Sequence, residues 1–129
     1  MDRFEERLAQ AGKALEALLD LAGVLKPTEI QRDALLLRFM LATEAVWKSA
    51  QRYLQDEHAL ELGSPREVIR ASLEVGLLDG DQAEQVLLLM KDRNLIVHTY
   101  NEDLAAEVSG RIRDHAGALK VWFAALQKN

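Results

Sequence analysis

The 129-residue sequence contains no cysteine. That excludes disulfides, thiolate nucleophiles and cysteine-ligated metals, and several enzyme classes with them. Histidine is scarce as well. The three histidines stand at 58, 98 and 115, none in a His-x-x-x-His or His-Glu-x-x-His spacing, so no two would meet on one helical face as metal ligands. No metal site and no bound cofactor is expected. Seven glycines and two prolines are too few and too scattered for a glycine-rich phosphate loop, and no Gly-x-Ser-x-Gly elbow is present. No apolar run approaches the ~20 residues of a membrane span, and the start "MDRFEERLAQ" is charged and amphipathic, so a cytoplasmic location away from membranes is expected. A formal charge of −5 also weighs against nonspecific nucleic-acid binding through a broad basic surface.

What remains is an ordinary folding composition, 49% hydrophobic and 29% charged, in a length that fits one domain, 1–129. The apolar spacing is helical throughout. Phe4, Leu8, Ala11, Leu15, Leu18 and Ala22 recur three and four residues apart and predict a first helix to about Gly23. "TEIQ" at 28–31 has the form of a capping box and opens a long second helix. That helix carries Leu36, Phe39, Met40, Thr43, Trp47, Ala50 and Leu54 on a broad face, with Gly63 as its expected stop. "SPRE" at 64–67 supplies a cap, a proline at the first helical position and a glutamate reaching back, for a short third helix ending near Gly76. "DGDQ" at 79–82 starts a fourth that runs towards His98. "TYNE" at 99–102 reads as another capping box, opening a fifth helix with Leu104, Val108, Ile112, His115, Leu119, Trp122 and Leu126 on one stripe. The pattern predicts an all-α protein, an antiparallel up-and-down bundle of four to five helices.

The chemistry gathers in "KDRNLIVHTYNED", residues 91–103. An arginine can hold a phosphate through two hydrogen bonds and stabilise growing negative charge, while a histidine titrates near neutral pH and serves as general acid or base. Together they suit phosphodiester cleavage without a metal, since in RNA the 2′-hydroxyl supplies the nucleophile. Arg93 and His98 are five apart, so on one unbroken helix they would diverge by roughly 140°. Two arrangements would unite them: a helix that loosens just before His98, or a twofold dimer that brings both pairs into one cleft. In a structural reading, Arg93 pairs with Asp92 or Glu102 and His98 caps the helix C-terminus.

Around this stretch, "RNLIVHTY" is an Arg-x4-His-x-Tyr motif, and it resembles the signature of the HEPN (higher eukaryotes and prokaryotes nucleotide-binding) family. More narrowly, "RFMLATEAVWKSAQRYL", "SPREVIRASLEVGLLD" and "DRNLIVHTYNEDLAAEV", in that order, resemble the nucleotidyltransferase substrate-binding proteins, helical partners of minimal nucleotidyltransferases. The resemblance implies a HEPN-like bundle that forms a homodimer and pairs with a small nucleotidyltransferase encoded nearby, many such pairs behaving as toxin and antitoxin. It implies a metal-independent ribonuclease in which Arg93 binds the scissile phosphate, His98 is the acid or base, and Asn94 is an auxiliary hydrogen-bonding group. Tyr100 would accept AMP from the partner and so silence the site. The family's other implied role is a noncatalytic subunit that binds a nucleotide or other substrate for the nucleotidyltransferase.

Other polar residues read as structural. Glu44 and Lys48, four apart, form an ordinary helix-surface pair, although the family's Glu-x-x-Trp-Lys pattern also places a glutamate there. Trp47 belongs to the core stripe, and His115 reads as a packed or interface residue. Arg66 and Arg70 share a face of the short helix that could serve a partner or phosphate but is solvated by default. Lys91, Arg93, Arg111 and Arg113 would form a local basic patch if the fourth and fifth helices are neighbours.

Overall fold

A computed structural model describes residues 2–98 and 101–128. Among them lie six α-helices: α1 (Arg3–Ala22), α2 (Glu29–His58), α3 (Pro65–Glu74), α4 (Gly80–His98), α5 (Glu102–Ser109) and α6 (Ile112–Lys128). The all-helical bundle expected from the sequence is what forms. Its axis is α2, 30 residues and about 45 Å long, which packs against each of the other five. Leu36, Phe39, Thr43, Trp47, Ala50 and Leu54 are buried on it, as the apolar pattern predicts, and α1 adds Ala11, Leu15 and Leu18. One hydrophobic core draws on all six helices. Burial on this scale is worth about 1.5–3 kcal/mol per large apolar side chain, far more than any single cap.

The helix starts follow the local chemistry. Thr28 and Gln31 form the reciprocal capping box, each side chain accepting the other residue's backbone N–H. Asp79 and Gln82 do the same at the head of α4. Ser64 caps α3, with Pro65 in the first turn. At the end of α3, Gly76 takes φ +83°, Leu77 N–H reaches Ser72 C=O at 2.9 Å and Gly76 N–H reaches Leu73 C=O at 3.2 Å. This is a Schellman closure, and its left-handed residue is the one place among the described residues where glycine's freedom is required.

Three local expectations are corrected. The second helix stops at His58 rather than near Gly63, because Ala59 itself enters the left-handed region at φ 54° and its N–H closes on Leu54 C=O. The cap of α5 is Asn101, whose side chain accepts from Leu104 N–H at 2.8 Å; Thr99 lies outside the described residues. Asn is among the strongest caps, and it starts the helix later than Thr99 would. Finally, the expected fifth helix is divided into α5 and α6 by a turn at Gly110 and Arg111. Val108, Ile112, His115, Leu119, Trp122 and Leu126 are nevertheless all buried, so the stripe keeps its phase across the break.

Candidate functional site

Asp92 and Arg93 are neighbours on α4, about 100° apart around its axis, and they engage different helices. Asp92 is buried. It accepts two hydrogen bonds from Arg111, Nε to Oδ2 at 2.7 Å and Nη2 to Oδ1 at 2.8 Å, and His115 Nε2 lies 2.6 Å from Oδ2. The His115 ring stacks on Phe39 at 5.4 Å, so the packed role read for it holds. Burial pushes the Asp92 carboxyl up, but the hydrogen bonds and charges of Arg111 and His115 outweigh it and leave it below the usual aspartate value. The same contacts raise the Arg111 guanidinium, chiefly through its hydrogen bond to Asp92.

Arg93 turns to α2. Its Nη2 donates to Glu44 Oε2 at 3.0 Å and its Nη1 to Asn94 Oδ1 at 2.9 Å. Glu44 also accepts from Trp47 Nε1 at 2.9 Å and pairs with Lys48 at 3.2 Å. Partial burial pushes the Glu44 carboxyl up, yet Trp47, Lys48 and Arg93 together hold it below its ordinary value. Arg93 thus pairs with neither Asp92 nor Glu102. Its carboxylate partner stands 49 positions away, a contact that no local spacing signals. The Glu44–Lys48 surface pair exists as read, and Glu44 is in addition the anchor of the motif arginine.

The helix does not loosen before His98, because α4 continues through it. Asn94 and His98, four apart on that helix, are exposed and line one groove between α3 and α4, which Arg93 also borders. Among the described residues, the side-chain bonds of Arg93 run to Glu44 and Asn94 rather than to His98. Tyr100, the expected AMP acceptor, lies outside the described residues.

This groove has a volume of about 1040 Å³. Its floor is apolar, with Ile69, Leu73, Leu87 and Met90 among its lining. Arg66, Arg70 and Lys91 line it too, against the single carboxylate of Glu84. The basic patch expected from Lys91, Arg93, Arg111 and Arg113 does not assemble. Arg111 is spent on Asp92 and Glu107, and Arg113 donates to Gly23 C=O at 3.2 Å. Its place is taken by the α3 arginines, for which the sequence alone gives a solvated face as the default and a partner or phosphate as the alternative. Their spacing is visible in the sequence, but the packing of α3 beside α4 is not. Among the described residues, no group of three or more His, Asp and Glu is placed to hold a metal ion, and no helix is long and apolar enough to cross a membrane.

Residues 2–128 match the family described as nucleotidyltransferase substrate binding protein like. The chain belongs to that family. A crystal structure from Thermus thermophilus is 42% identical and superposes with a TM-score of 0.85, over 91% of this chain and 98% of that one. The tri-AMPylated HEPN toxin of Shewanella oneidensis, solved in complex with its MNT antitoxin, is 14% identical over the whole of both chains, with a TM-score of 0.79. A chain of the MntA–HpeT toxin–antitoxin pair gives 14% identity and a TM-score of 0.78, covering 98% of each. At that identity the two toxin–antitoxin structures establish the shared fold. No curated protein matches. In this member of the nucleotidyltransferase substrate binding family, Arg93 and His98 of the Arg-x4-His-x-Tyr motif lie on the last turns of α4, with the arginine anchored on α2 and the histidine open to a groove.

Proposed function

We propose that this protein is the helical partner of a minimal nucleotidyltransferase in the cytoplasm. In this reading it acts as a metal-independent endoribonuclease toxin that the partner silences by transferring AMP to Tyr100. The observation that carries the reading is the open groove bordered by Arg93, Asn94 and His98 on a cationic surface of an otherwise acidic protein. His98 takes the proton of the RNA 2′-hydroxyl as that oxygen attacks the adjacent phosphorus, and Arg93 stabilises the charge on the phosphoryl oxygens. The P–O5′ bond breaks, leaving a 2′,3′-cyclic phosphate, and a second acid protonates the departing 5′-oxygen. A homodimer supplies that acid as His98 of a second copy. Leu37 and Leu41 support a dimer at this place: they precede Glu44 on the same stripe of α2 and are 59% and 56% exposed.

Silencing follows the chemistry named for the Shewanella toxin, which carries AMP in complex with its antitoxin. The Tyr100 oxygen attacks the α-phosphorus of ATP on the nucleotidyltransferase, loses its proton, and pyrophosphate leaves. The attached phosphate then competes with RNA for Arg93.

The test is RNA cleavage in excess EDTA by the protein and its His98→Ala variant, with fragment ends mapped. The variant is expected to lose about 10²–10⁴-fold in rate. A second reading is favoured by the engagement of Arg93 with Glu44, which leaves part of its fork occupied. In that reading the chain binds a nucleotide for the nucleotidyltransferase and does no chemistry. Saturable nucleotide binding without cleavage, by protein whose mass shows no AMP, would establish it in place of the first.

A further inference from the structure

The groove extends well past the motif. The connection Val75–Asp79 is short and closes on Ser72 through the N–H groups of Leu77 and Leu78, so the start of α4 lies beside the end of α3. The two helices therefore run against each other, with Arg66 towards the His98 end and Leu73 towards the Leu87 end. Arg66, Arg70 and Lys91 are exposed, and none makes an ion pair among the described residues. In a protein of net charge −5, three uncommitted cations on the rim of an apolar trough mark a surface that selects an anionic ligand with apolar parts. Leu73 and Leu87, each 42% exposed, keep the trough open along its length. Its volume of about 1040 Å³ lies just above the ~300–1,000 Å³ range of clefts and cavities that take small molecules. An open trough of that size suits a chain passing through.

We propose that the α3–α4 groove is a track for single-stranded RNA flanking the scissile linkage, in which Arg66, Arg70 and Lys91 hold phosphates and the aliphatic floor takes the faces of unpaired bases. The inference rests on the ribonuclease reading for where the chemistry occurs, but not for the binding itself. A duplex fits poorly, because its base faces are hidden within the stack and the floor would stay bare. Among the described residues no Phe, Tyr or Trp lines the groove, so the strong stacking platforms of many single-strand binders are missing. Affinity must then come mainly from phosphate contacts, which makes it salt-dependent and nearly indifferent to base identity.

The experiment uses full-length His98→Ala protein, to prevent cleavage, and a fluorescein-labelled oligouridine with a duplex of equal length as control. Anisotropy should show the single strand bound more tightly than the duplex. Adding Arg66→Glu and Arg70→Glu should weaken single-strand binding at least tenfold at low salt and flatten the log–log salt dependence by about 1.4, two phosphates at ~0.7 each. Lys91→Glu, on the opposite wall, provides an independent variant should the double change disturb α3, with thermal melts as the check on folding. Unchanged affinity in both variants overturns the track. So does a loss of self-association or of nucleotidyltransferase binding with RNA affinity intact, which would make the groove a protein-docking surface. The two readings fail separately. Parent protein that never cleaves, with a His98→Ala form that binds RNA through Arg66 and Arg70, keeps the track and removes the chemistry; cleavage whose KM ignores all three changes does the reverse.

Discussion

Two arginine–carboxylate pairs lie on different faces of α4, and they are built to different ends. On the α6 side, Asp92 is 8% exposed at its side chain and both its oxygens are occupied by Arg111, with His115 adding a third contact. On the α2 side, Arg93 and Glu44 are 25% and 36% exposed, and one nitrogen of the arginine holds its own neighbour Asn94. A buried carboxylate with both oxygens occupied is costly to strand, even though its arginine is itself 40% exposed, whereas a carboxylate open to solvent serves mainly to fix the direction of the cation beside it. The first fastens α4 to α6; the second aims a motif residue beside the groove.

The largest effect should come from opening the closed side. Asp92→Ala strands His115 and frees Arg111, and we expect a loss of about 2–3 kcal/mol in urea unfolding, at the lower end for a broken buried pair because Arg111 reaches solvent. The pH dependence has a definite sign. The folded Asp92 carboxyl is held below its ordinary value. Its contribution is therefore complete above about pH 4 and drains away as pH falls through the folded value. Asp92→Asn should flatten the acid limb of the stability curve, and an unchanged limb would mean that Asp92 is not the group fastening α4.

Altering the open side should affect activity before stability. Glu44→Gln keeps a hydrogen-bond acceptor for Trp47 and Arg93 but removes the charge that orients the guanidinium. We expect the unfolding midpoint to stay within about 1 kcal/mol of the parent, since exposed pairs contribute little. RNA cleavage should fall about tenfold in kcat with KM nearly unchanged, as befits misplacement rather than lost binding. Equal losses in stability and activity would erase the distinction between the two pairs.

The sequence carries the helix heads well and the long-range pairs poorly. Thr28 with Gln31, a reciprocal capping box, and Ser64 with Glu67, whose N–H the Ser64 hydroxyl accepts while donating to its carboxylate, are legible because each pairing is closed within four residues. Arg93, Asn94 and His98 are legible as a motif, and all three border the groove, Asn94 and His98 from one face of α4. Glu44 reads from the sequence as half of a surface pair because its bond to Arg93 spans 49 positions. The turn at Gly110 is hidden for a different reason. The apolar stripe from Leu104 to Leu126 keeps its helical phase through the interruption, so the core pattern is the same for one helix or two. Arg66 and Arg70 fall on one face of α3 by spacing alone, but only the packing of α3 and α4 turns that face into the wall of a groove.

A smaller effect tests whether the open side depends on how α3 is set. Gly76→Ala places a Cβ at φ +83°, with no neighbour within 4 Å to clash, so the penalty is backbone strain alone, about 1–2 kcal/mol. Because Gly76 closes the α3 end, the strain should loosen the groove wall before the Asp92 network. Hydrogen exchange should therefore quicken at Leu77 and Leu78 and remain slow in α6.

The smallest expected effect has the opposite sign. Ala59 sits at φ 54° with a side chain, where glycine would be at ease. Left-handed backbone costs a non-glycine residue about 1–2 kcal/mol, and the extra freedom glycine brings to the unfolded chain returns about 0.4–1 kcal/mol of that. The difference favours glycine, so Ala59→Gly should raise stability by about 0.5 kcal/mol, seen as a higher urea midpoint at unchanged slope. Ala59 is not part of the groove lining, so kcat and RNA affinity should stay at the parent values. If activity moved along with stability, the segment between α2 and α3 would be setting the groove, and the open side of α4 would depend on both ends of α3 rather than on Glu44 and Gly76 alone.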